Sequence, residues 1–132
     1  MPDASMIASL LVPGQRDDAV EEMLLTSGTE LVAPEILRQE IHHAILKTMR
    51  RQGWVEVEVR TAVATFRSLP INYSYDPSWV DRAFELAREL RTGLFDAIYL
   101  VASLDLDAEL WTRAQRFAAA VAAAYPGRVR VA

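Results

Sequence analysis

The chain contains no cysteine, which excludes disulfides, thiolate metal sites and cysteine nucleophiles. It also lacks a basic excess: 14 Lys and Arg face 18 Asp and Glu, for a net charge of −4. A nucleic acid therefore cannot be held by broad attraction, and any contact with one must be local. Long apolar runs are missing too. The segment "MIASLLV" (Met6 to Val12) is too short to span a bilayer, and the start has neither the basic residues nor the cleavage site of a secretory signal. The expectation is a cytoplasmic protein with no membrane anchor. Repeats, low-complexity segments, phosphate-binding glycine loops and serine-histidine-acid arrangements are not evident. The two histidines, His42 and His43, are adjacent. They leave a helix about 100° apart and do not converge on a zinc ion as an i, i+4 pair would.

What is present is ample core material, with 52% apolar residues over 132 positions, so the expectation is one domain, residues 1–132. "SMIASLLVPG" reads as a short apolar helix stopped by Pro13 and Gly14. "QRDDAVEEMLLTSG" reads as an amphipathic helix ended by Gly28, and "TELVAP" as a strand. From Pro34, "PEILRQEIHHAILKTMRRQG" predicts a helix to Gly53 with its basic residues at the carboxyl end, where the helix dipole favours them. In "WVEVEVRTAVATF" the valines 55, 57 and 59 alternate as in a strand, while Val55, Val59, Ala62, Val63 and Phe66 keep helical spacing. The helical reading is preferred.

"LPINYSY" reads as a strand, and "DPSWVDRAFELARELR" as a helix opened by Asp76 with Pro77 at its first position. Thr92 is placed to cap the apolar helix "GLFDAIYLVASL". "AELWT", "RAQRFAAAVAAAY" and "GRVRVA" follow as strand, helix and strand. Strands separated by helices imply right-handed crossovers. The fold class is therefore α/β, a mostly parallel sheet with helices on both faces.

Three acids sit in places that prefer none. Asp96 is the only charged residue of "GLFDAIYLVASL". On a helical wheel with Ile36 at 0°, the residues Leu37, Ile41, Ala44 and Ile45 carry the apolar stripe on to roughly 180°, and Glu40 falls inside it at about 40°. Asp3 precedes an apolar helix. Singly, each has an ordinary explanation: Asp3 as a helix cap, Asp96 hydrogen-bonded in a first turn, Glu40 paired with an arginine. Together they suggest a site, because ligands of open parallel sheets bind beyond the carboxyl ends of the strands, where the next helices begin. Carboxylates gathered there repel one another unless a hard divalent cation neutralises them, and oxygen-only ligands suit Mg2+ or its substitute Mn2+.

These residues resemble the PIN-domain ribonucleases, specifically the VapC-like toxins of bacterial toxin-antitoxin pairs. "PDASMIASLLVPG" is similar to the family's opening, "LVAPEILRQEIHHAIL" to its strand and glutamate-bearing helix, and "RAFELARELRTGLFDAIYLVAS" to its most characteristic stretch. The resemblance implies a three-layer α/β/α domain with a central sheet of four to five short strands. It implies an Mg2+-dependent endoribonuclease in which Asp3, Glu40 and Asp96 are catalytic metal ligands. An antitoxin partner, an RNA substrate and a homodimer are implied as well, with "SMIASLLV" and the helix Gln15 to Thr26 as candidate contact surfaces.

Three departures from the family pattern stand out. Thr112 of the family's Thr-x-Asp is kept, but Ala114 occupies the place of its acid. His43 replaces an asparagine that often follows the glutamate by three residues. Only Met1 and Pro2 precede Asp3, so the first strand is expected to be truncated or missing. Asp105 and Asp107 precede the strand "AELWT" and lie at its wrong end to replace the fourth acid. Ser5, His43, Thr112, Arg113, Gln115 and Arg116 are candidate RNA or phosphate contacts. Lys47, Arg50 and Arg51 read more simply as a solvated helix end. The competing reading is a catalytically degenerate scaffold that keeps the fold and a protein-binding surface.

Overall fold

The structure is a computed structural model that describes residues 1–26 and 28–132. Ser27, in the stretch read as the end of the second helix, lies outside the described residues. In chain order the elements are α1 (Ala4–Leu11), α2 (Asp18–Leu25), β1 (Leu31–Pro34), α3 (Ile36–Gln52), α4 (Glu56–Ser68), β2 (Ile71–Ser74), α5 (Ser78–Leu90), α6 (Leu94–Asp105), β3 (Leu110–Thr112), α7 (Gln115–Ala122) and β4 (Val129–Val131). The architecture is mixed α/β, consistent with a PIN-like α/β/α arrangement.

All strand pairings among the described residues are parallel, in two short pairs. β1 lies beside β2 in the register Leu31 to Ile71, and β3 beside β4 in the register Leu110 to Val129. The expected first strand is reduced to a single bridge between Pro2 and Trp111. Trp111 N–H donates to Met1 O at 2.7 Å, and Asp3 N–H donates to Trp111 O at 3.0 Å. In place of one central sheet of four to five strands, the described strands form two separate two-stranded sheets.

α4 resolves the ambiguous stretch. A helix places Ala62 and Phe66 in the core at 5% and 3% exposure, and leaves Val57 at 67% exposed. The strand reading would have put Val55, Val57 and Val59 on one face. Glu58 accepts from the Val55 N–H at 2.9 Å and caps the helix start. Gly53 ends α3 in the left-handed conformation, φ 65°, which glycine adopts without steric cost.

α1 is a core helix: Met6 and Ile7 are fully buried and Leu11 nearly so. This corrects the expectation that "SMIASLLV" is a contact surface, since its apolar side chains are already spent on the interior. α6 is buried around most of its circumference through Ala97, Tyr99, Leu100, Val101, Ala102 and Ser103, which explains its apolar composition. At its far end Asp105 accepts a two-pronged bond from Arg82 (2.7 and 2.8 Å) and another from Trp79 Nε1 (2.8 Å), joining α6 to α5. These donors hold the Asp105 carboxyl down at about 2. Asp107 pairs with Arg128, so both of these acids are engaged at the end of α6 away from Asp96.

The helical assignment of α4 has a direct check. Phe66→Ala should cost about 3–5 kcal/mol in urea unfolding, whereas Val57→Ser should stay within about 0.5 kcal/mol. Comparable losses at both positions would support the strand reading.

Candidate active site

Asp3, Glu40 and Asp96 come from three elements that start near one another. Asp3 caps α1: its Oδ1 accepts from Met6 N–H at 3.1 Å and from Ser5 Oγ at 2.6 Å. It is only 5% exposed. The capping explanation is thus correct for one oxygen. Glu40 lies in α3 between buried Leu37 and Ile41 and is half-buried itself. Among the described residues it pairs with no arginine, and its Oε2 instead accepts from Tyr99 Oη at 2.6 Å. Asp96, in the first turn of α6, makes no hydrogen bond and no ion pair among the described residues, although it is half-buried. Thr92 does not cap this helix; the cap position is Gly93, without a side-chain bond.

The three acids feel one another. Burial pushes the Glu40 carboxyl up, Tyr99 partly offsets this by donating to it, and the charges of Asp3 and Asp96 add to the rise. Burial likewise pushes Asp96 up, with Asp3 contributing. Tyr99 is driven far above the ordinary phenol range by burial and then by Glu40, so it remains a proton donor. Tyr99 is a functional candidate that sequence reasoning passed over as part of an apolar run. Its signal was its spacing, three residues after Asp96 and so on the same side of the helix.

A hard divalent cation fits this donor set in kind, because three carboxylates supply only oxygen and leave each other's charge uncancelled. Asp3, Glu40 and Asp96 would be the residues to hold it. Among the described residues no three Asp, Glu or His side chains are already close enough to hold one ion between them, so a shared ion requires side-chain movement. Ala114, at the place of the expected fourth acid, uses its N–H to donate to Thr112 Oγ1 at 2.9 Å.

The other candidate contacts are placed as follows. Thr112 is fully buried, and its hydroxyl serves that turn, so it is not available as a surface contact. Ser5 Oγ is taken by Asp3 and by the Arg113 N–H. The Arg113 guanidinium turns to Gln15 O at 3.2 Å and Asp17 at 3.8 Å. Gln115 is exposed. His43 lines a groove with Leu46, Lys47, Arg50 and Arg51, a group with no acid in it. Arg116, with Arg91, Thr92, Gly93 and Phe117, lines a cavity of about 200 Å³ that Asp96 also borders.

A family model described as PIN domain matches residues 3–129. No match was found among curated proteins.

Raised carboxyl pKa values mean that the native protein binds more protons than the unfolded chain between the ordinary and the raised values. The contribution of Glu40 and Asp96 to stability is therefore fully present below the ordinary carboxylate range and is lost as pH rises through their native pKa values. In metal-free protein, Asp96→Asn should raise the unfolding midpoint, by an amount that grows from about pH 4 towards neutrality. A midpoint lowered at every pH would assign Asp96 to a structural ion pair. Tyr99→Phe should lower stability by about 1–3 kcal/mol in the same assay, because Glu40 loses its donor.

Proposed function

This chain belongs to the PIN-domain family, and on that premise we propose that it is an Mg2+-dependent endoribonuclease of the VapC-like toxin kind, held in check by an antitoxin protein. PIN domains are generally nucleases and typically use divalent metals, and an RNA substrate fits the family. Among the described residues no helix is long and apolar enough to cross a membrane. The observation that carries the reading is Asp96: a half-buried carboxylate without a hydrogen-bond or ion-pair partner among the described residues, raised by the charge of Asp3 and itself raising Glu40.

A bound Mg2+ would supply an activated water and a Lewis acid for the phosphodiester. The chain's own contribution is to hold its acceptors ready. The α1 cap fixes Asp3 through Oδ1, leaving Oδ2 without a partner among the described residues. Tyr99 fixes Glu40 through Oε2 and leaves Oε1 similarly free. Asp96 keeps both oxygens free. Beside the site, Tyr75, Val80, Leu94 and Phe95 are exposed around one groove. Such an apolar rim supports a protein partner or a second copy on this side.

Ala114 favours a second reading, a degenerate scaffold that has lost turnover with the fourth acid. Purified protein incubated with single-stranded RNA and Mg2+ separates the two. The nuclease reading expects cutting that EDTA stops and Asp96→Asn abolishes. It also expects Ala114→Asp to increase the rate, since a fourth carboxylate tightens the hold on the cation. Intact RNA at enzyme excess, with or without Ala114→Asp, would leave the scaffold reading.

A further inference from the structure

Two features unfavourable to the folded protein and a pair of unpartnered arginine side chains meet in the cavity that Asp96 borders between the start of α6 and the first turns of α7. Arg91 ends α5 in the left-handed conformation, φ 54° and ψ 45°, a region that costs a non-glycine residue free energy and where natural sequences usually place glycine. The hydroxyl of Thr92 is buried and has no hydrogen-bond partner among the described residues, although buried polar groups are nearly always satisfied. Arg91 and Arg116 are both exposed, and neither guanidinium makes an ion pair or hydrogen bond among the described residues, while most other arginine side chains of the chain do. Two unpaired guanidiniums and an unsatisfied hydroxyl line one cavity of about 200 Å³.

Strain and unsatisfied polar groups that cluster beside reactive groups mark a site whose ligand supplies what the fold does not. The chemistry of this ligand follows from the lining. Two guanidiniums offer ten N–H donors between them, arranged in planar forks suited to phosphate oxygens, and a hydroxyl can donate a further bond. The only acid on the walls is Asp96, which would repel an anion lodged directly on it. The anion is therefore displaced towards Arg91 and Arg116, one phosphate along the strand from the position facing the three carboxylates.

We propose that the cavity lined by Arg91, Thr92 and Arg116 is a subsite for a single backbone phosphate of the RNA strand, adjacent to the phosphodiester that is cut. This rests on the ribonuclease reading for the identity of the strand, and it assigns to the chain the local basic contact that its overall charge of −4 requires. The subsite sets which way the strand lies across the acids. It also accounts for an arginine where α5 would more comfortably end in glycine.

The test is the affinity of the full chain for a fluorescein-labelled single-stranded oligoribonucleotide, read by anisotropy in Ca2+ over a range of salt. Because one phosphate is shared, Arg91→Gln and Arg116→Gln should each weaken binding several-fold, and the double variant should lose less than the product of the two. The slope of log K against log salt should fall by about 0.7 for the double variant, the value for one single-strand phosphate. Arg60→Gln, which removes the same charge from α4, should change little. Thr92→Val should weaken binding while raising the unfolding midpoint of the free protein, and Arg91→Gly should do the same. A fall of about 1.4 in slope with independent losses would mean two separate phosphates and would overturn the shared subsite. Losses no larger than that of Arg60→Gln would overturn it as well. Cutting assays on the same preparations keep the two readings apart. Variants that keep full affinity beside an active wild type refute the subsite alone. Wild type that binds through these arginines yet leaves RNA intact in Mg2+ supports the subsite and refutes the nuclease.

Discussion

Repulsion among Asp3, Glu40 and Asp96 is the constraint around which the rest of the molecule is arranged. Each acid is held in place by backbone or packing that has other reasons to exist: the cap of α1, the buried stripe of α3, the first turn of a core helix. Among the described residues none is neutralised by a basic side chain. A fold selected for stability alone would have placed an arginine here or exchanged an acid for an amide, since an unpaired half-buried carboxylate returns nothing to the core. The single hydrogen bond from Tyr99 orients Glu40 without cancelling its charge.

The same economy governs the sheet. Its two parallel pairs are short, and hydrogen bonds of Met1 and Asp3 with Trp111, of the Met1 amino group with Glu109 O and of Arg113 N–H with Ser5 Oγ tie the chain start to β3 and its flanks. That tie matters for the chemistry because it delivers Asp3 to the beginning of α1. The buried residues of α1, α3 and α6 then form a continuous apolar cluster with Leu110 and Val121. The acids sit on a rigid base while Arg91 and Arg116 stand in solvent, as the proposed metal site and RNA strand would require.

Much of this was readable in the sequence. The helix of α3 and its end at Gly53 followed from periodicity and capping. The three acids stood out because local pattern assigns those positions to apolar residues. What could not be read depends on contacts between distant residues. The separation of the strands into two pairs is decided by which edges meet. The burial of "SMIASLLV" is decided by α2, α3 and α4 packing against it, and the role of Tyr99 by a glutamate 59 positions away. Thr92 has the chemistry of a cap, but the chain turns at Gly93 instead, and its hydroxyl is left to the cavity.

The most direct measurement is thermal unfolding of metal-stripped wild type, Glu40→Gln and Asp96→Asn across a Mn2+ titration. A cation held by the three acids at about 100 times its dissociation constant adds about 2.7 kcal/mol to the native state, a rise on the order of 10 °C in the midpoint. The account predicts that rise in wild type and its loss in both variants. A wild-type midpoint that does not move with Mn2+, or variants that respond as wild type does, would contradict it.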